Sequence, residues 1–413
     1  MTKIIRDPIH GDIKIEGIYL DFLDAPEIQR LYNIKQLGFA HLVFPGGHHT
    51  RLEHLLGTFF ISVKACETLE LNDEEKELIS CAAFLHDIGH GPFSHTLESI
   101  LRTTLNVDHI DLTEKLILGE HTIFEDYEKK IIKPVTIFDI LNEYGLNHRK
   151  IIDIIKGNGK DYLTQFLNNP VDIDQLDYLI RDAYYTGVAY GLIDVERFLN
   201  SLTIKDNILG ITKKGVSVVE NILMARSLMY SSVYFHKTVR IAELMLSKAI
   251  ELSEEFHPFY IFKMTDDELL NNLKKMGTFQ REIAVRLKYR KLFKQAYAPS
   301  PIELSTDHIN FIKKFDDIKF RRLKEVEFED KIGIKKGHVI IDFPNTELHL
   351  NEPRIEKTNI MVVDENHCKT LDDFTPICRA IKKRLITDWA VMIITDEKYK
   401  NIVANKAEKI LFN

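Results

Sequence analysis

The chain has 413 residues, of which 45% are hydrophobic and 28% charged, with a formal net charge of −7. That length exceeds what one compact core normally serves, so two lobes, or a large domain with an appendage, are expected. The negative balance argues against a surface built for nucleic acid or anionic membrane, and no apolar run approaches the roughly 18 residues a bilayer-spanning helix needs.

Four cysteines, Cys66, Cys81, Cys368 and Cys378, are scattered without CxxC spacing. They read as free thiols of a reducing compartment and supply no thiolate metal site. The opening stretch MTKIIRDPIHGDIKI lacks the apolar centre of an export signal, so a cytoplasmic location is expected. Its alternation, with Pro-Ile-His-Gly in the middle, predicts a short strand or hairpin.

From Pro26 to about Ile250 the pattern is mostly helical. Asn72 followed by Glu75 makes a capping box ahead of an apolar run that ends at His86-Asp87. Gly89 and Gly91-Pro92 then break that helix. A long helix is expected from about Val216 to Leu252. Beyond residue 300 the character changes: HVIIDF (338–343), NIMVVD (359–364) and AVMIIT (390–395) read as strands, with LDDFTPICRAIKKRLI a helix between the last two. The expected fold is mainly α: a helical core over 1–300 with a short N-terminal strand or hairpin, and a smaller α+β lobe over 301–413.

The stretch FLHDIGHGPFSH gathers His86, Asp87, His90 and His95 around the helix break. A divalent metal acting on phosphate wants nitrogen and oxygen ligands with positions left open, and an adjacent His-Asp pair supplies one of each. Neighbours on a helix diverge by about 100°, so both reach one ion only near a helix end, which is where this pair falls. His54 lies on a helix with Leu52, Leu55, Leu56 and Phe59 on its apolar side. In VDIDQLDYLIRD, residues Asp174, Asp177, Tyr178, Arg181 and Asp182 share one helical face. By periodicity alone that face reads as solvated, with helix-internal ion pairs.

The ordered set His54, His86-Asp87, Asp174 resembles the H…HD…D signature of HD-domain metal-dependent phosphohydrolases. DPIHGDI, QRLYNIKQLG, VFPGGHHTRLEHLLG, HDIGHGPFSH, DQLDYLIRD and VYFHK are similar in particular to the dNTP triphosphohydrolase branch, which includes the animal enzymes with SAM and HD domains. The resemblance implies that His54, His86, Asp87 and Asp174 hold a divalent metal; Fe, Mn, Mg, Zn, Ni and Co are not distinguished by this ligand type. It implies that His109, held by Glu98, assists the reaction, with His90 in the same relay and His95 reaching the phosphates. Ile110 stands where Glu is usual after that histidine. Arg51 would contact the α-phosphate and sugar, Gln36 and Leu37 the deoxyribose, Tyr178 and Asp182 the 3′-hydroxyl, Tyr234 the C2′ side, and Arg226 the γ-phosphate. Arg226, Tyr230, Tyr234 and Lys237 are spaced as one helical face.

Two departures stand out. Gln175 occupies a position where animal members carry a phosphate-binding lysine, and Tyr32 replaces the arginine that partners Asp24 in their guanine-reading activator site. The bidentate reader of guanine is thereby lost. Lys3, Asp24, Arg197, Lys214 and Lys237 are the candidates for an anionic effector between subunits.

The expected function is metal-dependent hydrolysis of a dNTP to deoxynucleoside and triphosphate, with a nucleotide activator and a homo-oligomer, dimer or tetramer, implied by the resemblance. No membrane partner is expected, and the charge disfavours nucleic acid. Two alternatives stay open: an HD phosphohydrolase acting on another nucleotide, such as a monophosphate or an alarmone, and a non-catalytic nucleotide sensor or single-strand binder.

Overall fold

The N-terminal alternation forms a hairpin: β1 (Thr2–Asp7) pairs antiparallel with β2 (Gly11–Glu16), Thr2 facing Glu16 and Asp7 facing Gly11. Asp7 Oδ1 closes the turn by accepting from the backbone N–H of Ile9 and His10 at 3.0 and 2.8 Å. Gly11 then takes φ +77°, where a side chain would be strained. The computed structural model describes residues 1–105, 107–159, 161–253, 258–344, 359–364, 367–384 and 386–413, apart from the side chains of His95, Ser99, Leu101, Thr103, Thr104, Leu105 and Pro258.

The helices that position the site begin with α1 (Arg51–Thr68), started by a Thr50–Glu53 capping box, and α2 (Asp73–Leu85), started by the Asn72–Glu75 box that the spacing predicts. Helix α2 ends at His86, and the chain passes Gly89 and Gly91 into α3 (Ser94–Leu105) and α4 (His109–Ile117). Helix α5 (Ile173–Thr186) is capped by Asp172 and stopped by Gly187 at φ +71°. Helix α1 lies between α2 and α5, so residues distant in sequence converge on one point.

The long helix expected over 216–252 is two helices. Val216–Met229 (α6) and Lys237–Glu251 (α7) are joined by a π-helical turn, Tyr230–Tyr234. Ser231 Oγ donates to the Leu228 carbonyl at 3.0 Å, and His236 Nδ1 caps α7 by accepting from Thr238 N at 3.2 Å. Such turns recur at functional sites because they re-aim side chains without ending the helical path. The shared face read for Arg226, Tyr230, Tyr234 and Lys237 is broken here. Helix α8 (Asp266–Lys275) follows.

The remaining strands are β3 (Leu202–Lys205), β4 (Ile208–Thr212), β5 (Lys294–Tyr297), β6 (Val339–Asp342), β7 (Met361–Asp364), β8 (His367–Thr370) and β9 (Met392–Thr395). They form a sheet ordered β3-β4-β7-β8 and another ordered β5-β9-β6. Pairing of β4 with β7 is parallel, Ile211 with Val362 and Thr212 with Val363, so the first sheet carries strands from both sides of residue 300. The second sheet is a partition. Ile340, Met392 and Ile394 belong to the core beneath the helices, while Val339, Ile341, Val391 and Ile393 belong to a second core with Phe315, Phe328 and Leu411. Side chains alternate along a strand, so apolar runs such as VII and MII serve both cores. The segment between the last strands is not one helix: a 3-10 turn over Leu371–Asp373 and a helix over Ile377–Lys382 are separated by Pro376. No helix is long and apolar enough to cross a membrane, among the described residues.

Candidate active site

The first turn of α1, the end of α2 and the first turn of α5 bring His54, His86, Asp87 and Asp174 together. His54 Nδ1 bonds Asp177 Oδ2 at 2.8 Å, which turns Nε2 to within 3.1 Å of Asp174 Oδ1 and 3.9 Å of Asp87 Oδ2. His86 Nδ1 donates to the Ala83 carbonyl at 2.9 Å. Its Nε2 is buried without a hydrogen-bond partner, 3.3 Å from Asp87 Oδ1 and 3.7 Å from Asp174 Oδ1. Donor atoms of His54, His86 and Asp87 lie within 4.8 Å of one another. Two Nε2 atoms fixed by bonds at Nδ1, one of them orphaned, facing two carboxylates, is an arrangement a divalent cation fits. Burial disfavours charge on all four groups. Even so, Asp174 and Asp177 outweigh it and push His54 up to about 10, while His54 and His86 hold the Asp174 carboxyl far below the usual range.

Behind this quartet lies a buried ion network. Asp177 Oδ1 accepts from His10 at 2.7 Å and from Arg181 Nη2 at 2.9 Å; Arg181 Nη1 reaches Asp7 Oδ2 at 2.7 Å. The hairpin turn therefore supplies the partners that fix the carboxylate orienting His54. Gly57, one turn after His54, makes room: a Cβ there would lie 1.8 Å from Asp177 Oδ1. Asp177 and Arg181 are 0% exposed and Asp182 is 1%. The solvated reading of that helical face is thus wrong. Periodicity locates a polar face but does not say whether another element covers it, and here α1 and the hairpin do.

His109 Nδ1 bonds Glu98 Oε1 at 2.9 Å, and Arg102 Nη2 also donates to Oε1 at 3.1 Å. The imidazole of His109 stacks on that of His90, centroids 3.9 Å apart and planes 14° apart. Their environments separate them. Burial and then Arg51 and His109 hold His90 well below its ordinary value; burial opposes charge on His109 too, but Glu98 holds it above. Gly89 permits the approach of α4, since its Cβ would lie 2.1 Å from the His109 carbonyl oxygen, and its N–H donates to Thr113 Oγ1 at 3.0 Å. The side chain of His95 lies outside the described residues.

A cavity of about 250 Å³ opens onto these groups and is also lined by Gln36, Leu37, Arg51, Tyr178, Asp182, Tyr230 and Tyr234. Arg51 is held by Asp87 Oδ2 at 2.5 Å and Ser94 Oγ at 2.9 Å. Gln36 Oε1 is buried without a hydrogen-bond partner. Asp182 accepts from Tyr234 at 2.7 Å on one oxygen and pairs with His49 at 2.7 Å on the other. Arg226 is not on the cavity wall. Its Nη1 donates to Gln175 Oε1 at 3.0 Å and to the Pro170 carbonyl at 2.8 Å, and neither residue lines the cavity. Among the effector candidates, Lys3 pairs with Asp24 at 3.3 Å on the surface, Arg197 and Lys214 are exposed, and Lys237 sits over the Trp389 ring at 5.7 Å. No contact among the described residues joins these into one site. Sequence reasoning passed over His10, His49, Asp7 and Asp266. Three of these, Asp7, His10 and His49, lie inside the stretches DPIHGDI and VFPGGHHTRLEHLLG, and for the two histidines a place beside a turn or helix start was the available signal.

The family model described as an HD domain matches residues 51–182, and the one described as an HD-associated region matches 193–412. An uncharacterized protein of Methanocaldococcus jannaschii is 33% identical over 99% of this chain and 84% of its own length. A deoxynucleoside triphosphate triphosphohydrolase SAMHD1 homolog of Dictyostelium discoideum is 31% identical over 62% of this chain, which spans only 50% of that protein. A crystal structure of a phosphohydrolase from Bacteroides thetaiotaomicron superposes with a TM-score of 0.70 at 26% identity, covering 96% of this chain and 100% of that one.

Proposed function

This chain belongs to the HD-domain phosphohydrolase family, with an HD domain followed by an HD-associated region, and on that premise we propose that it hydrolyses deoxynucleoside triphosphates to deoxynucleoside and triphosphate. The observation that carries the reading is the two-His, two-Asp quartet, three of whose members (His54, Asp87 and Asp174) line one cavity with a carboxylate-held imidazole and a tyrosine–aspartate pair. A divalent cation held by His54, His86, Asp87 and Asp174 would supply positive charge beside the α-phosphate and lower the pKa of a bound water.

The other steps fall to this chain's own groups. Water adds to the α-phosphorus as its bond to the 5′-oxygen breaks, and the proton that water sheds passes to solvent. His109, whose charged form Glu98 favours, gives its proton to that leaving oxygen, while burial holds the His90 stacked on it toward the uncharged form. Arg51, immobilised by Asp87 and Ser94, offers a fixed positive charge to the phosphate. The unpartnered Gln36 oxygen suits a sugar hydroxyl, and Tyr234, tied to Asp182, would close the C2′ side. An activating nucleotide and a homo-oligomer are carried over from the resemblance to the triphosphohydrolase branch.

One observation favours the runner-up, a nucleotide with fewer phosphates. Arg226, the candidate for a γ-phosphate, is engaged by Gln175 and Pro170 away from the cavity. Chromatography of products from all four dNTPs, alone and in pairs, with manganese, magnesium, iron or cobalt, separates triphosphate from orthophosphate release. His86→Ala and Asp87→Ala are expected to abolish triphosphate release; full activity in either metal-stripped variant would overturn the assignment.

A further inference from the structure

Asp182 lines the cavity, and a residue outside its wall sets the carboxylate. His49 is 2% exposed and is not among the described residues that line the cavity; its Nε2 meets Asp182 Oδ1 at 2.7 Å. A carboxylate only accepts, so Nε2 carries the hydrogen. Nδ1 is buried with no hydrogen-bond partner among the described residues, so nothing there competes with Asp182 for the ring. Stacking holds the ring in place: it lies on Tyr185, centroids 4.5 Å and planes 13° apart, and Tyr185 donates to Glu53 Oε1 at 2.7 Å. Glu53 Oε2 in turn accepts from Thr50 N at 2.6 Å, in the capping box that starts α1. The main chain of His49 does a second job. Its carbonyl accepts from Gln36 N at 3.0 Å, so one residue ties down both Asp182 and Gln36. The other oxygen of Asp182, Oδ2, accepts from Tyr234 at 2.7 Å. Among the described residues no lysine or arginine pairs with this buried carboxylate, so two hydrogen bonds from opposite sides fix it.

We propose that His49 is a positioning residue for Asp182: by occupying Oδ1 it keeps Oδ2 aimed, beside the Tyr234 hydroxyl, at the sugar's 3′-hydroxyl. The inference rests on the dNTP reading above, which brings the sugar to Asp182. A carboxylate offers about four acceptor sites on its two oxygens, and His49 and Tyr234 use one on each. A further donor can therefore join at Oδ2, and a sugar hydroxyl is such a donor. Turning the carboxylate about its Cβ–Cγ bond would break both existing bonds, each to a charged acceptor and so among the stronger kind. With His49 gone, one bond remains, and the carboxylate is free to turn about it. A site built to bond a hydroxyl rejects an analogue that lacks it, because the acceptor is then left unpaired. That rejection needs an acceptor held in place. A histidine that only filled space would support substrates with and without the hydroxyl equally.

The test is kcat/KM for triphosphate release, with manganese, from each of the four dNTPs and its 2′,3′-dideoxy counterpart, using the whole chain as wild type, His49→Leu and His49→Gln. Leucine fills much of the same space without an N–H, and glutamine keeps an N–H donor of similar reach. Wild type is expected to favour the dNTP over its dideoxy counterpart by about tenfold or more, which is about 1.4 kcal/mol. His49→Leu should bring that ratio to within about threefold, and His49→Gln should keep most of it. An equal fall on both substrates in His49→Leu is the mark of a purely structural histidine and overturns the inference. So does a ratio that His49→Leu leaves unchanged, one that His49→Gln loses as fully as His49→Leu, or a wild type that treats both substrates alike. If His49→Leu does not fold, His49→Ala takes its place in the same comparison. Absence of triphosphate release from every dNTP overturns the proposed reaction instead. In that case equilibrium binding of deoxynucleosides against 2′,3′-dideoxynucleosides reads Asp182 directly. About tenfold tighter binding of the former, lost in His49→Leu, is then expected, and equal affinity in wild type overturns the role of His49.

Discussion

Replacing Gly57 by alanine tests whether the buried network behind the quartet matters as its geometry implies. Elsewhere in a helix interior this change stabilises by about 1 kcal/mol, because glycine is a poor helix former. Here the new Cβ would lie 1.8 Å from Asp177 Oδ1, 2.5 Å from Asp177 Cγ and 2.4 Å from Arg181 Nη2. Neither side chain is a loose surface end: Asp177 is bonded to His54, His10 and Arg181, and Arg181 to Asp7. The Asp177 carboxylate must move, and a shift of more than an ångström forfeits at least two charge-assisted hydrogen bonds. At about 1.5–3 kcal/mol each, the loss is about 3–6 kcal/mol, close to the scale seen when a buried ion pair is broken. Net of the helix gain, Gly57→Ala should cost about 2–5 kcal/mol, or about 2–6 °C in melting temperature for a chain of this size. His54 would lose its orientation at the same time, so manganese affinity should fall about 10- to 100-fold, as for other disturbed partners of metal-binding histidines. Calorimetry with and without manganese, and a metal titration of the folded variant, give both numbers. A variant as stable as wild type that binds metal equally well would refute the account of Asp177.

Glu27 gives a pH-dependent prediction. Burial pushes its carboxyl from the ordinary 4.5 up to about 7, and its Oε2 has no hydrogen-bond partner. An acid with a raised folded pKa costs no stability below pH 4.5, and the cost grows as pH rises until it is complete above about 7, at about 3 kcal/mol. Glu27→Gln should therefore melt several degrees above wild type at pH 8 and converge with it toward pH 5; a constant difference across that range would count against burial as the cause. Asp266 joins the two loops that floor the cavity, accepting from the backbone N–H of Phe93 at 2.9 Å and of Lys35 at 3.0 Å. Asp266→Ala leaves both donors unpaired, with Phe93 at φ +46°, and should lose about 2–3 kcal/mol of stability and raise KM more than it lowers kcat. A purely thermal effect with unchanged KM would mean the loops hold their shape without it.

Local signals carried a large part of the structure. The capping box at Asn72, the break at Gly89, the hairpin and the β-branched strands are each encoded in a few adjacent residues, and all appear where spacing puts them. The quartet was legible because its members fall in ordered, recognisable stretches. What stayed hidden depends on pairing across the chain. The burial of Asp177 and Arg181 is set by α1 and the hairpin, and the strut from Asp342 to Arg240 by a strand about a hundred residues further on. The π-helical turn at Tyr230–Tyr234 escaped for a different reason: nothing in a run of helix-compatible residues announces one extra residue in a turn.

The parallel pairing of β4 with β7 has a consequence for how the chain can be divided. Ending the polypeptide near residue 300 would look harmless on a map of helices, because the quartet and the His109–Glu98 pair all precede it. The cut would strip Ile211 and Thr212 of their neighbours and bare the edge of β4, a short apolar strand with unpaired amides and carbonyls ready to capture another copy. It would also take from Arg240 the Asp342 carboxylate to which its Nε and Nη2 donate. A shortened version would fail first by sticking to itself, and natural loss of the tail would be tolerated only alongside changes that blunt that edge.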